Sequence, residues 1–174
     1  LHFPKSMNEI KLANRTLKYE EFLKFNLAMQ YLKTLENFKE VKVPKQINTD
    51  EVYSLTHHLK YDLTTDQIKA INEIMAEMNS SKIMYRLLQG DVGCGKTLVA
   101  ILSLYANYLA HYQGAFLAPT EILAKQHYQS IRELLRPTNA VVEVIYSSLP
   151  NVVKKDIYER LSKGEIDILV GTHA

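Results

Sequence analysis

Residues 90–97 read Gly90-Asp91-Val92-Gly93-Cys94-Gly95-Lys96-Thr97, which is glycine, four variable positions, glycine, lysine and a hydroxyl residue. This is the spacing of a phosphate loop. Glycines at 90, 93 and 95 permit backbone angles closed to other residues, so successive amides can turn inward as a nest around a β-phosphate. The anion then sits at the start of the helix that follows, where unpaired amides and the helix dipole favour negative charge. Lys96 is expected to reach the β- and γ-phosphates, and the Thr97 hydroxyl to ligate Mg²⁺, a hard cation that prefers oxygen. Lys96 and Thr97 are therefore the candidate catalytic residues, with Thr97 the candidate metal ligand. Asp91, Val92 and Cys94 fill variable positions and belong to the site as part of the loop; Cys94 is given no catalytic role. From average residue frequencies the pattern arises by chance in roughly one chain in a hundred of this length, so the flanking pattern must support it.

It does. Lys82 to Gln89 reads as a strand running into the loop, and Thr97 to Ala110 as a helix rich in Leu, Ala and Tyr. Outward from there, helical and strand patterns alternate as in parallel α/β sheets. The spacing predicts a helix over Thr65–Met78, a short strand over Ala115–Ala118, a helix over Glu121–Leu135 and a strand over Val141–Tyr146. A helix over Val152–Lys163 and a buried strand over Ile166–Val170 complete the series. Right-handed crossovers would place the loops at the carboxyl ends of these strands on one edge of the sheet.

Before this domain, Ser6 with Glu9 has the form of a capping box. Leu12, Leu17, Phe22, Phe25, Met29 and Leu32 recur at near-helical spacing, with no proline or glycine from Ile10 to Leu35. This predicts one long amphipathic helix. Val41 to Lys60 carries Pro44, scattered charges and little periodicity and reads as a connector. The expected organisation is thus a helical arm and connector over 1–60 and an α/β domain over 61–174.

At 174 residues the chain suits one α/β domain with an appended segment, not two full domains. A hydrophobic content of 47% with 23% charged residues is that of an ordinary soluble protein, and no run approaches the roughly 18 apolar residues that would span a membrane. The single cysteine excludes an internal disulfide, and no signal-peptide pattern opens the chain, so a reducing cytoplasm is the expected setting. A net charge of +2 is too small to argue for nucleic acid by itself. The chain begins without methionine and stops just after an apolar run, and the expectation is a piece of a longer protein.

Three blocks together carry a family resemblance: Leu88-Gln89 with the phosphate loop, Ala118-Pro119-Thr120-Glu121-Ile122-Leu123-Ala124-Lys125-Gln126-His127, and Ile168-Leu169-Val170-Gly171-Thr172-His173-Ala174. They resemble the RecG-type ATP-dependent DNA helicases of superfamily 2, and the opening Leu1 to Gln30 resembles the segment that precedes the motor there. The motor of the transcription-repair coupling factor shares the Gly-Asp-Val-Gly loop and the Gly-Thr-His ending; the opening segment favours the RecG type. The resemblance implies most of a first RecA-like lobe of the P-loop NTPase class, with a long helical extension at its amino terminus. It also implies ATP and Mg²⁺ as cofactors, a monomer in a bacterial cytoplasm, and branched double-stranded DNA, such as stalled forks and Holliday junctions, as partner.

Residue by residue, Leu63-Thr64 with Gln67 is similar to the adenine-recognition motif, because an amide offers both a donor and an acceptor. On spacing alone Thr64 and Gln67 are equally a plain capping box. Tyr61 sits where the family often places an aromatic that can stack on the base, though an aromatic at a domain start is more often core. Thr120 and Glu121 fall in a motif that grips the DNA backbone, with Gln126 and His127 following, and Gly171-Thr172-His173 resembles a second DNA-contact loop. Read without the family, Thr120 is an ordinary helix cap and Glu121 a dipole complement. The family also requires an acidic Asp-Glu strand end to hold Mg²⁺ and position water. No such tetrapeptide follows an apolar run here, and by family order it belongs beyond Ala174. The chain alone is therefore expected to bind nucleotide without fast hydrolysis. A P-loop switch or small-molecule kinase is the other reading, and for the kinase the arginine-rich lid is lacking.

Overall fold

The computed structural model describes residues 3–37, 42–59 and 61–173. Leu1, Val41, Lys60 and Ala174, which end segments in the sequence reading, lie outside the described residues. The chain divides into two compact units, Leu1–Val41 and Lys42–Ala174.

The described part of the first unit is built on one unbroken helix, α1 (Met7–Asn37), of 31 residues. Its start is capped as Ser6 and Glu9 suggest: Ser6 Oγ accepts from the Glu9 amide at 3.3 Å. The Glu9 carboxylate accepts from the Lys5 amide at 2.7 Å, one residue earlier than a strict capping box.

The second unit begins at Lys42, earlier than the expected start at Tyr61, because residues 42–58 are built into its core. Ile47, Val52 and Leu55 are buried. The Asn79 side chain clamps Ile47 at both backbone groups, accepting from its amide at 2.9 Å and donating to its carbonyl at 3.1 Å. Asn48 then caps a six-residue helix, α2 (Thr49–Ser54), which a single 3₁₀ turn extends to His58. An element of six residues is too short to show helical periodicity, so the sequence pattern reads as a linker.

α3 (Thr65–Met78) occupies the expected span, and its start is a full capping box between Thr64 and Gln67. α4 (Lys96–Leu109) buries Leu98, Val99, Ile101, Leu102 and Ala106 against the core it shares with Ile71, Met75 and Met78 of α3. β1 (Gly114–Leu117), α5 (Glu121–Leu134), β2 (Val142–Ile145), α6 (Asn151–Ser162) and β3 (Ile168–Gly171) follow, each within two residues of the expected bounds. The three strands form a parallel sheet in the order β1-β3-β2, with Val170 level with Phe116 on one side and Val144 on the other. β3 is central, which explains its apolar run from Ile168 to Val170: Ile168 and Val170, with Ile166 just before the strand, have no exposed surface.

One expected strand is not formed. Lys82 to Gln89 pairs with none of the three strands, and among the described residues it has no strand pairing beyond an isolated bridge at Lys82. A strand exists only through a neighbour, and β-propensity along one segment cannot supply it. The segment is held instead by the Arg86 guanidinium, which donates to Glu73 and Glu77 of α3 at 2.5 Å each. Met84 and Leu88 rest on the core.

Candidate functional site

The chain turns out of this segment through Asp91 to Cys94, where the Cys94 amide donates to the Asp91 carbonyl at 3.3 Å. Gly93 and Gly95 take φ of 84° and 83°, the left-handed region that favours glycine. Gly95 is the residue before α4 and offers no side-chain cap. Among the described residues nothing accepts from the amides of Gly95, Lys96 and Thr97, so three donors converge at the positive end of α4. The Lys96 ammonium lies across this turn, donating to the carbonyls of Gly90 at 2.7 Å and Asp91 at 2.6 Å, with Cys94 Sγ 3.7 Å away. Val92 is fully exposed and Cys94 exposed, with the Cys94 sulfur lying so near Gly90 that a β-carbon there would come within 2.7 Å of it. In its donor types this set fits a polyphosphate, amides in a row and one ammonium, though here the ammonium is engaged by the Gly90 and Asp91 carbonyls. For a cation it is thinner. No group of three or more His, Cys, Asp or Glu residues able to hold a metal occurs among the described residues, so the half-buried Thr97 hydroxyl would share an ion with phosphate oxygens.

Gln67 stands beside the loop with both ends of its amide engaged. Oε1 accepts from the Thr64 amide at 2.9 Å, and Nε2 donates to the Cys94 carbonyl at 3.0 Å. The capping box is thus formed, and it fastens α3 to the phosphate loop. Tyr61 is exposed and lines a polar cleft of about 480 Å³ with Tyr53, His57, Asp62 and Ile68. Tyr53, His57 and Asp62 carry no sequence signal of their own; only the fold brings them beside Tyr61. The Tyr53 hydroxyl donates to Asn72 at 2.9 Å, and burial raises its pKa.

A second group lies at the carboxyl ends of the strands. Thr120 caps α5, its hydroxyl accepting from the Leu123 amide at 3.3 Å. The Ala118 amide donates to the Gly171 carbonyl at 2.8 Å, which brings the end of β1 against the end of β3. Gly171 is buried, and a β-carbon there would sit 2.8 Å from the Ile145 carbonyl oxygen, so the close approach of β3 to β2 requires glycine. Beyond it the Thr172 hydroxyl is buried without a hydrogen-bond partner among the described residues, and His173 is exposed. Gln126 is exposed one turn into α5, while the His127 ring packs on Phe116 with centroids 4.8 Å apart.

Glu121 reaches across to the turn after β2. Its Oε1 accepts from the Ser147 hydroxyl at 2.6 Å and the Ser148 amide at 3.0 Å, and its Oε2 from the Ser148 hydroxyl at 2.6 Å. These bonds, the Ser147 hydroxyl first, lower the carboxyl pKa to about 2. Ser147, Ser148 and Lys154 were not singled out in the sequence; the one signal was a serine pair between a strand and Pro150.

Residues 64–174 match the family model described as DEAD/DEAH box helicase. The chain belongs to the DEAD/DEAH box helicase family. Its membership carries the use of a nucleotide, and its fold is the parallel-sheet RecA-like lobe. Over all 174 residues the chain is 44% identical to the ATP-dependent DNA helicase RecG of Bacillus subtilis and 39% to that of Streptococcus pneumoniae. It spans 26% of the length of each. A solved structure of RecG bound to a three-way DNA junction superposes with a TM-score of 0.81 at 39% identity, over 98% of this chain and 23% of that one. A hypothetical ATP-dependent RNA helicase from Sulfolobus tokodaii, at 19% identity and TM-score 0.52 over 72% of this chain and 34% of that one, shares the fold.

Proposed function

We propose that this chain is the nucleotide-binding front of an ATP-dependent motor that moves on double-stranded DNA and remodels branched forms of it, including stalled forks and Holliday junctions. The observation that carries the reading is the pairing of a formed phosphate loop with a second set of loops on the sheet edge, in a chain similar to RecG over its whole length. ATP with Mg²⁺ is the nucleotide. The amides of Gly95 to Thr97 hold the phosphates, Lys96 leaves the Gly90 and Asp91 carbonyls for the β- and γ-oxygens, and Thr97 supplies one oxygen ligand to the ion. Gln67 and Tyr61 serve the base, with Gln67 first giving up a hydrogen bond to Thr64 or Cys94. Thr120, Gln126, His127 and the Gly171–His173 loop lie along the DNA backbone. The protein works as a monomer in a bacterial cytoplasm.

By itself the chain binds nucleotide and turns it over slowly, since no Asp-Glu tetrapeptide follows an apolar run to position water. Titrating a fluorescent ATP analogue with Mg²⁺ into the chain and into Lys96→Ala, then repeating with duplex and forked DNA, tests the reading. Charge-assisted hydrogen bonds of about 1.5–3 kcal/mol correspond to a loss of roughly 10- to 150-fold in the variant. Equal binding by the two proteins would sink the assignment of the loop.

A further inference from the structure

Two lysines are fixed on a single turn of the sheet edge. Lys125, one turn into α5, holds its ammonium 4.3 Å over the Tyr146 ring. Lys154, at the start of α6, donates from its ammonium to the Ser147 carbonyl at 2.5 Å. Tyr146 and Ser147 are adjacent, so one turn anchors both cations, and each ammonium keeps donors free for a further acceptor. The turn is in its place because Glu121, the first residue of α5, takes three hydrogen bonds from Ser147 and Ser148. In the sheet order, the ends of β1 and β2 flank the end of β3. The Glu121 latch therefore spans the edge on which Thr120 and Gly171–His173 lie.

A carboxylate is a poor direct ligand for a phosphodiester, since like charges repel. We propose that Glu121 is a positioning residue that does not touch the nucleic acid: it latches the Tyr146–Ser148 turn so that Lys125 and Lys154 form a cation pair binding the phosphate backbone. This rests on the reading that the sheet edge meets DNA. Because the serine bonds hold the Glu121 carboxyl near pKa 2, the latch stays ionised at any pH at which DNA is bound.

The sign of one substitution separates a latch from plain electrostatics. Removing a negative charge from a DNA-binding face strengthens binding if charge alone matters, whereas releasing the turn weakens it. The measurement is fluorescence anisotropy of labelled duplex and forked DNA across a salt series, on the chain and its variants, with circular dichroism confirming the fold. Lys125→Ala and Lys154→Ala are each expected to weaken binding roughly 3- to 10-fold and to lower the salt slope by about one. Glu121→Ala is expected to weaken it despite the lost charge, and to add nothing once both lysines are gone. Ser147→Ala with Ser148→Ala opens the latch without touching Glu121 and should reproduce the effect. Tighter binding by Glu121→Ala, or unchanged binding by the lysine variants while the parent chain binds DNA, overturns the proposal and leaves the DNA reading standing. No binding by the parent chain overturns both.

Discussion

Gln67 and Gly95 are in such close approach that a β-carbon at Gly95 would overlap the Gln67 side-chain nitrogen. The same nitrogen donates to the Cys94 carbonyl at 3.0 Å, so α3 and the phosphate loop are fastened where the loop becomes α4. On the proposed reading, Gln67 would act on the phosphates through the loop as well as on the base. Gln67→Ala should weaken a fluorescent ATP analogue about 3- to 10-fold, the worth of one hydrogen bond and part of a helix cap. Gln67→Glu should weaken it more, since a carboxylate oxygen would then face the Cys94 carbonyl. Tripolyphosphate competition separates the two roles: equal loss for ATP and tripolyphosphate assigns the effect to the loop, and loss for ATP alone assigns it to adenine.

Gly93 and Gly95 share a left-handed φ but differ in surroundings, and that difference is measurable. A β-carbon on Gly93 meets nothing within 4 Å, so Gly93→Ala carries only the backbone cost of about 1–2 kcal/mol. Gly95→Ala carries the same cost and also displaces Gln67. Nucleotide titrations should find Gly95→Ala the weaker binder of the two; parity between them would show that the Gln67 contact is incidental.

How far the sequence reaches is clear from residues 82–97. Fixed spacing revealed the loop itself, because each position there is set by local chemistry: glycine for backbone angle, lysine for charge, threonine for oxygen. The strand expected before it is not formed, and the sequence could not show this, because pairing of Lys82–Gln89 depends on a neighbour elsewhere in the chain. The Glu121 latch was hidden for the same reason. Its partners Ser147 and Ser148 lie 26 and 27 residues away, and only the parallel order β1-β3-β2 brings them to it. Likewise Asn79, an apparent helix end, proves to hold the 42–48 segment against the core through Ile47.

Asn107 is a buried polar residue inside the apolar face of α4, and its three hydrogen bonds explain its presence there. Its Nδ2 donates to the carbonyls of Tyr112 at 3.0 Å and Gln113 at 2.9 Å, and its Oδ1 accepts from the Lys45 ammonium. Burial, with Lys42 nearby, lowers the Lys45 pKa. Asn107→Ala strands two carbonyls and an ammonium, for an expected loss of about 2–4 kcal/mol in urea unfolding. Thr172→Val does the opposite: it replaces a buried hydroxyl without a partner by a methyl of similar shape, and should be neutral or stabilising by about 1 kcal/mol.

The Glu121 carboxyl titrates far below its usual value of 4.5, at about 2, and the sign of the consequence follows. A carboxyl whose folded pKa is depressed contributes stability in full above its unfolded pKa and loses it as pH falls through the folded value. The latch is therefore complete at neutral pH and weakens between about 4.5 and about 2. Carbon-detected NMR of the side-chain carboxyl should show Glu121 still ionised at pH 3.5, with its midpoint near the lower end of that window. In the Ser147→Ala, Ser148→Ala protein two of the three donors are gone, and the midpoint should move up toward the ordinary carboxyl value. A midpoint near 4.5 in the parent chain would mean that the serine bonds are not formed in solution, and the latch with them.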